Sequence, residues 1–328
     1  MKVVTVGTSS IVSSCIKSFK NAGIEVFACV GRDLERVKSF AENNGVQYYS
    51  NDYDRVLTSN AYDFVYIATP NNKHYEYARK AILAKKNVIL EKPMCSNLKQ
   101  ATEIIKLALD NGVFLFENNK VPYNRAYTYL KEDLKKIEPV RMVDLNFSKY
   151  SSKYDDFKAG KPQNTFSLET SGGALMDINV YNISFVIGLF GAPKRSEYMA
   201  NIGHNGIDTS GVVTMDYGSF KAVCTGAKDC SARNGIMIQG TKGWIEVPNR
   251  PGFIENVTLH LNQDNTDTII DVAKERPYIK EFRRMQEIWE ADDRKQVDAW
   301  LQASLDTMAV LDTSRKQAGV VFPADAQS

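Results

Sequence analysis

Short apolar runs alternate with stretches in which apolar residues recur every three or four positions, and this rhythm fills the first third of the chain. Residues 3–6 predict a buried strand, and Ile11, Val12, Cys15, Ile16 and Phe19 follow at helical spacing until Asn21-Ala22-Gly23. Residues 24–30 predict a second strand, with Leu34, Val37, Phe40 and Ala41 as the stripe of a second helix that Asn44-Gly45 stops. Residues 64–68 and 88–90 predict two further strands around a helix whose inward stripe is Tyr75, Ala78 and Ile82. Asn97 with Gln100 has the form of a capping box. The helix it opens carries Leu98, Ala101, Ile104, Ile105, Ala108 and Leu109, ends at Gly112, and leads to a strand at 113–116. Uninterrupted apolar strands between amphipathic helices predict an α/β, doubly wound parallel sheet covered on both faces. Ligands of such sheets bind beyond the carboxyl ends of the strands.

The pattern then changes. Residues 140–147, 211–216, 219–224, 236–240, 244–247 and 257–261 predict strands joined by polar or glycine turns, which suits a large, mostly antiparallel open sheet in an α+β domain. Residues 278–316 predict a final helical region, and 149–170, rich in charged and polar residues, predict a loop near a cleft. A length of 328 residues supports two cores. The expected division is 1–120, a Rossmann-type doubly wound domain, and 121–328, the α+β domain, to which the resemblance described below assigns substrate binding and oligomerisation.

Lysine plus arginine, 41, nearly cancels aspartate plus glutamate, 39, so no strong field draws the chain to nucleic acid or an anionic membrane. No apolar stretch approaches the roughly 20 residues of a membrane span. The opening residues read as a strand and turn rather than a leader, and Cys15, Cys29, Cys95, Cys224 and Cys230 are scattered without a C-x-x-C pair. The expectation is a cytoplasmic protein with reduced thiols, no metal site and a small-molecule partner.

Candidate chemistry begins at Gly7-Thr8-Ser9-Ser10-Ile11, where a Rossmann chain places G-x-G-x-x-G. Gly7 alone keeps the pattern. The helix that follows still offers N–H groups and a positive dipole end to a pyrophosphate. Ser9 crowds that approach, although its hydroxyl can donate to a phosphate oxygen. The second strand ends at Arg32-Asp33 without an acid for the ribose hydroxyls. Arg32 at that point suits the 2′-phosphate of NADP, with NAD the alternative; the blander reading makes it a solvated side chain and Asp33 a helix cap.

The helix at 175–190 makes an argument of its own. At about 100° per residue, Asp177, Tyr181, Ser184 and Gly188 fall within roughly 60° of one another on an otherwise apolar cylinder. Either internal hydrogen bonds satisfy this polar stripe, or it lines a ligand cleft.

The run Thr69-Pro70-Asn71-Asn72-Lys73-His74, followed by a helix, a strand and Glu91-Lys92-Pro93, resembles the glucose–fructose oxidoreductase / inositol dehydrogenase / rhizopine catabolism (Gfo/Idh/MocA) family. The segment 171–184, with Gly172-Gly173, Asp177 and Tyr181, is similar to that family's G-G-x-x-x-D-x-G-x-H signature. Asn179 replaces its middle glycine, and Tyr181 its histidine. Tyrosine there resembles the branch that includes glucose–fructose oxidoreductase, dimeric dihydrodiol dehydrogenase and NADP-linked xylose dehydrogenase.

The resemblance implies a nicotinamide-dependent dehydrogenase or reductase acting on a sugar, polyol or diol. Tyr181 would be the acid/base, Lys92 its partner, and Asp177 would hold a substrate hydroxyl or orient the lysine. It implies cofactor contacts from Gly7, Thr8, Ser9, Ser10, Ile11, Arg32, Thr69, Pro70, Asn71, His74, Glu91, Lys92, Pro93 and Asn118, and a homodimer or homotetramer built through the C-terminal sheet. His74 stays open between a place near the cofactor and a helix cap. After Glu117 the family's arginine and aromatic are replaced by Asn118-Asn119-Lys120-Val121-Pro122-Tyr123. Rival functions are a non-catalytic dinucleotide- and sugar-sensing protein and an NAD-dependent cyclitol dehydrogenase.

Overall fold

The computed structural model describes residues 1–123, 126–271 and 277–326. They form two compact units, Met1–Asn118 with Arg276–Leu305, and Asn119–Glu275 with Asp306–Ser328. The first unit opens as strand and helix in strict alternation: β1 Lys2–Val6, α1 Ser10–Asn21, β2 Glu25–Val30, α2 Leu34–Asn43, β3 Tyr48–Ser50, α3 Tyr53–Leu57, β4 Phe64–Ile67, α4 Asn71–Leu83, β5 Asn87–Glu91, α5 Leu98–Asn111 and β6 Leu115–Asn118. The six strands pair in parallel in the order β3-β2-β1-β4-β5-β6, the Rossmann order. All four residues of β4 are buried, as befits a central strand with helices on both faces.

The second unit contains α6 Ala126–Ile137, β7 Val140–Ser148, α7 Tyr154–Lys158, a π-helical turn at Leu175–Asn179 that runs into α8 Val180–Phe190, and β8 Arg195–Ile202, β9 Asp208–Asp216, β10 Lys221–Ala227, β11 Gly235–Gly240, β12 Gly243–Val247, β13 Asn256–Leu261 and β14 Thr266–Asp271. Its eight strands lie in the order β14-β13-β12-β11-β7-β10-β9-β8. Every pair is antiparallel except β7 with β10. One sheet face, including Val143, Leu145, Ala222, Cys224 and Val213, is buried. Two helices close the chain, α9 Pro277–Glu290 and α10 Arg294–Gln317. In the second unit the buried Arg315 pairs with Asp312 and Asp325 and lies over the Phe322 ring, which fixes the tail after α10.

The structure corrects several expectations. A division at residue 120 leaves out Arg276–Leu305, which packs with the first unit through aromatic rings. Phe282 stacks on Phe19 with centroids 3.8 Å apart, Trp289 meets Phe64 edge-on and Trp300 does the same to Phe116. The region 278–316 is two helices, broken where Asp292 takes a positive φ of 49°. Leu34 and Leu109 are exposed rather than inward. The inward faces are narrower, Val37 and Ala41 on α2, and Ala101, Ile104 and Ala108 on α5, because small side chains let the helices lie close to the sheet. On α4 the inward residues are His74, Ala78, Ala81 and Ile82, while Tyr75 points toward α5 and donates to Glu103. The polar segment 149–170 is not simply a loop, since it contains α7 and a 3-10 turn at Asn164–Phe166.

The Phe19–Phe282 stack anchors α9 on α1, and both rings are fully buried. Phe282→Ala is expected to cost about 3–5 kcal/mol, the usual range for a buried phenylalanine. Urea unfolding followed by tryptophan fluorescence checks it, and an unchanged midpoint would remove this anchor from the first unit's core.

Candidate active site

The carboxyl edge of the six-stranded sheet gathers most of the residues expected to touch a cofactor. Gly7 sits just after β1 at φ 122°, where a Cβ would lie 2.6 Å from the carbonyl oxygen of Ala68. Only glycine fits there. Ser9 is the N-cap of α1 in extended conformation, and its side chain makes no capping bond. The first turn of α1, with Ser10 and Ile11, contains no acidic residue. Its N–H groups therefore keep the positive end of the helix available to an anion. Thr8 and Ile11 are half-buried, whereas Ser9, Ser10 and Arg32 are exposed. Asp33 caps α2 by accepting from the Arg36 N–H at 2.8 Å.

Two further strand ends, those of β4 and β6 on either side of β5, add unmet polar groups. The buried Thr69 Oγ1 and Asn72 Oδ1, from the Thr69-Pro70-Asn71-Asn72 turn after β4, have no hydrogen-bond partner among the described residues. Neither does Asn118 Oδ1 at the end of β6. Buried oxygens of this kind ask for a donor. Together with the tight glycine turn and the unopposed helix end, they fit a dinucleotide, and Gly7, Ser9, Ser10, Ile11, Thr69, Asn72 and Asn118 are the residues that would hold it.

The Glu91-Lys92-Pro93 segment is tied down from below. Glu91 Oε1 accepts from the Tyr66 hydroxyl at 2.7 Å and from Asn118 Nδ2 at 2.6 Å. The Lys92–Pro93 peptide is cis. His74 is neither a cap nor a surface residue: it is buried, with Nδ1 2.9 Å from the carbonyl of Pro93 and Nε2 3.0 Å from that of Thr69. It pins one strand-end turn to the other. Burial holds its imidazole below the usual histidine range. Lys92 follows Glu91 as a half-buried cation. Beside it stands Glu117, which accepts from Ser304 at 2.6 Å. Burial pushes the Glu117 carboxyl up to about 7, against the opposing pull of Ser304, the Met94 N–H and the Lys92 charge.

In the second unit, the signature helix does not follow a uniform 100° rotation, because its first five residues form a π turn. Between Ser171 and Ile187 every residue is buried except Asp177 and Tyr181. The far end of the expected polar stripe is satisfied internally: Asn119 donates to Ser184 at 2.7 Å, and the Tyr127 ring lies against Gly188. The stripe thus divides into a covered half and an open half. Asn179, which stands in the family's glycine position, donates to the Cys224 carbonyl at 2.9 Å, and Asn182 donates to that of Thr225 at 2.8 Å. These bonds fix the turn to β10. At its start the buried Asp208 accepts from the Leu175 N–H and from the Tyr198 hydroxyl. Gly173, at φ 103°, leaves the space that this carboxylate fills. Tyr181 packs on Phe147 with centroids 5.9 Å apart, and the Arg250 guanidinium lies over that same ring. Asp177 forms an ion pair with Lys228, the residue after β10.

Within each unit the expected residues assemble as clusters, one around Gly7, Thr69, Lys92 and Asn118, the other around Asp177 and Tyr181. Sequence reasoning missed Asn72, Glu117, Asp208 and Lys228. The first two carried a signal, since each adjoins a residue already singled out. Lys228 carried none, because its place beside Asp177 depends on the packing of the π turn against β10. Among the described residues no helix is long and apolar enough to cross a membrane.

Comparison with known proteins places these clusters in context. The profile of the oxidoreductase family with an NAD-binding Rossmann fold matches residues 1–119, and that of the GFO/IDH/MocA C-terminal domain matches 133–246. The chain is similar to scyllo-inositol 2-dehydrogenase (NADP(+)) IolU of Bacillus subtilis, 33% identical over 325 residues and 98% of each chain. It is also similar to trans-1,2-dihydrobenzene-1,2-diol dehydrogenase of Danio rerio, 27% identical over 320 residues, 92% of this chain and 91% of that one. Among solved structures, KijD10, a 3-ketoreductase from Actinomadura kijaniata in complex with NADP and TDP-benzene, has a TM-score of 0.81 at 21% identity, covering 97% of both chains. That likeness is one of fold.

Glu117 gives the first unit a pH signature. The folded carboxyl keeps its proton to about 7, against an ordinary value of 4.5, so the native state binds more protons between those values and stability falls as pH rises through them. The slope is at most about 1.4 kcal/mol per pH unit. Glu117→Gln is expected to flatten it; denaturant unfolding at pH 5, 6 and 7 checks this, and parallel slopes in the two proteins would sink the assignment.

Proposed function

The chain belongs to the Gfo/Idh/MocA family of oxidoreductases, and from that premise we propose an NADP-linked dehydrogenase of ring polyols in which Tyr181 is the acid/base and Lys92 its electrostatic partner. It is an enzyme that acts on CH–OH groups with a nicotinamide cofactor. The inositol and the dihydrobenzene-diol named for its two relatives share a six-membered ring with hydroxyls on adjacent carbons, and that is the substrate class we assign. NADP rather than NAD is supported by Arg32, exposed beside the end of β2, and by Asp33, whose carboxylate is committed to the cap of α2.

When bound at the sheet edge, the nicotinamide supplies the acceptor or donor of hydride. The chain's own groups orient the substrate and move one proton. Tyr181 takes the proton of the reacting hydroxyl as its carbon is oxidised, and returns it in reduction. An ammonium at the same oxygen favours the phenolate and brings a pKa of about 10 toward working pH. Lys92 fills that role and stabilises charge developing on the oxygen. Asp177 accepts from the neighbouring hydroxyl. The observation that carries this reading is that, between Ser171 and Ile187, Asp177 and Tyr181 alone are not buried. A sensor that only binds nucleotide has no need of that pair. The cytoplasm is the setting we propose, in keeping with five free thiols, four of them buried.

Tyr181→Phe and Lys92→Ala should each lower turnover about a hundredfold or more, with NADPH affinity by fluorescence titration kept within about threefold. Rates at 340 nm with scyllo-inositol, aldoses and a cyclic trans-diol check this. Full activity in both variants would end the assignment, and tight NADPH binding without turnover of any polyol would favour the sensor.

We also propose that a second copy covers the open face of the eight-stranded sheet. Met142, Met199 and Ile269 are exposed there, the last two at 71% and 66%. Apolar side chains so displayed on a sheet face invite a like surface. Sedimentation velocity should report a dimer or tetramer that Met199→Glu shifts toward monomer; a monomeric parent protein would overturn the reading.

A further inference from the structure

We propose that Lys228 is a positioning residue for the Asp177–Tyr181 pair, holding the carboxylate in place and cancelling its charge so that the neighbouring phenol can ionise. The proposal rests on the reading of Tyr181 as the acid/base.

The backbone around Lys228 is fixed on both sides. Its N–H donates to the Thr209 carbonyl at 2.9 Å, and its own carbonyl accepts from the Ser151 N–H at 2.8 Å. The side chain is only 12% exposed, and its ammonium pairs with Asp177 Oδ2, whose side chain is 38% exposed. A lysine taken this far out of water needs a partner. Other acids nearby are committed elsewhere. Asp229 accepts from Thr209 Oγ1 and Ser210 Oγ, each at 2.7 Å, and Asp208 accepts from Leu175 and Tyr198. Asp177 is the one carboxylate with which Lys228 forms an ion pair among the described residues.

Lys228 and Asp177 also share a frame. Lys228 directly follows β10, and Asn179 and Asn182 bond the π turn and α8 to carbonyls of that strand. Movement of one partner carries the other with it. The distance from ammonium to carboxylate is therefore set by the fold rather than by two free side chains, unlike an exposed surface pair.

The electrostatic consequence falls on Tyr181. A bare carboxylate four residues away opposes a phenolate, and a neutralised one does not. Among the described residues of this unit, the charged groups tied to the cluster include Arg250, over the Phe147 ring that packs on Tyr181, and Asp208, which accepts from the Leu175 N–H at the start of the turn. Lys228 is joined to Asp177 directly by an ion pair.

The direct test is NMR of cofactor-free protein labelled with [13Cζ]tyrosine, the Tyr181 resonance being assigned by its loss in Tyr181→Phe. Lys228→Met is expected to raise the titration midpoint of Tyr181 by about one pH unit, a tenfold loss of phenolate at a given pH. Lys228→Arg should restore it. Asp177→Asn should move it the other way, and the Asp177→Asn/Lys228→Met double variant should lie near wild type, as a coupled pair requires. The pH profile of kcat should follow the same order. Unshifted midpoints in Lys228→Met and Asp177→Asn would overturn the proposal. If Lys228→Met does not fold, Asp177→Asn decides from the exposed side of the pair. Full turnover by Tyr181→Phe would instead bring down the acid/base reading beneath it, whatever the titrations report.

Discussion

Two asparagine side chains, Asn179 and Asn182, hold a π turn against the carbonyls of Cys224 and Thr225, and the chemistry of the second unit hangs on those bonds. A helix as apolar as α8 gains by burying every face, and a polar residue on it is tolerated only where its hydrogen bonds are met. Asn179, Ser184 and the Asn182 amide donor are met inside the unit, while Asn182 Oδ1 is buried without a hydrogen-bond partner among the described residues. Asp208, through Leu175 and Tyr198, meets the helix start. Between Ser171 and Ile187 the only residues that reach outward are Asp177 and Tyr181. Their direction is fixed by neighbours that never touch a substrate.

The first unit solves the same problem with different parts. Glu91 is buried and saturated by Tyr66 and Asn118, and His74 joins the carbonyls of Thr69 and Pro93. Lys92 leaves this frame as a half-buried cation. The buried Glu117 nearby is held close to neutrality by burial, which limits the negative charge beneath the lysine. A second full carboxylate there would draw the ammonium inward, away from any ligand at the sheet edge.

The periodicity of the chain made the doubly wound sheet readable because its strands are central and apolar on both faces. It failed at three of the four edge strands, while the fourth, β6, is buried along its whole length and was readable. β3, β8 and β14 are edge strands, and the outermost, β14, is exposed along nearly its whole length, so no apolar alternation marks it. Helix stripes were read too wide for a related reason: Leu34 and Leu109 have helical spacing but lie past the edge of the packed face. The polar stripe through Asp177 was legible as a set of residues. Its geometry was not, since a π turn changes the rotation between Asp177 and Tyr181 and no residue type announces it. Lys228 was beyond reach because the packing of the π turn on β10, not sequence spacing, brings it to Asp177.

The degenerate glycine loop shows how far such a motif can erode. Gly7 and Ser9 occupy the first two glycine positions of the fingerprint, and the structure separates their duties. At Gly7 a side chain would strike the Ala68 carbonyl, and φ is strongly positive, so the fold itself demands glycine. At Ser9 φ is −88°, an angle open to any residue, and the side chain is exposed and free of capping duty. Losing the second glycine therefore costs the protein no backbone strain; it changes only what a ligand meets on approach. A hydroxyl at the mouth of an unopposed helix end adds a donor to the N–H groups already there. Of the two positions that have lost glycine, 9 and 12, Val12 is buried in the core, and only at Ser9 can a side chain replace, in kind, the contact that a bare backbone would otherwise make.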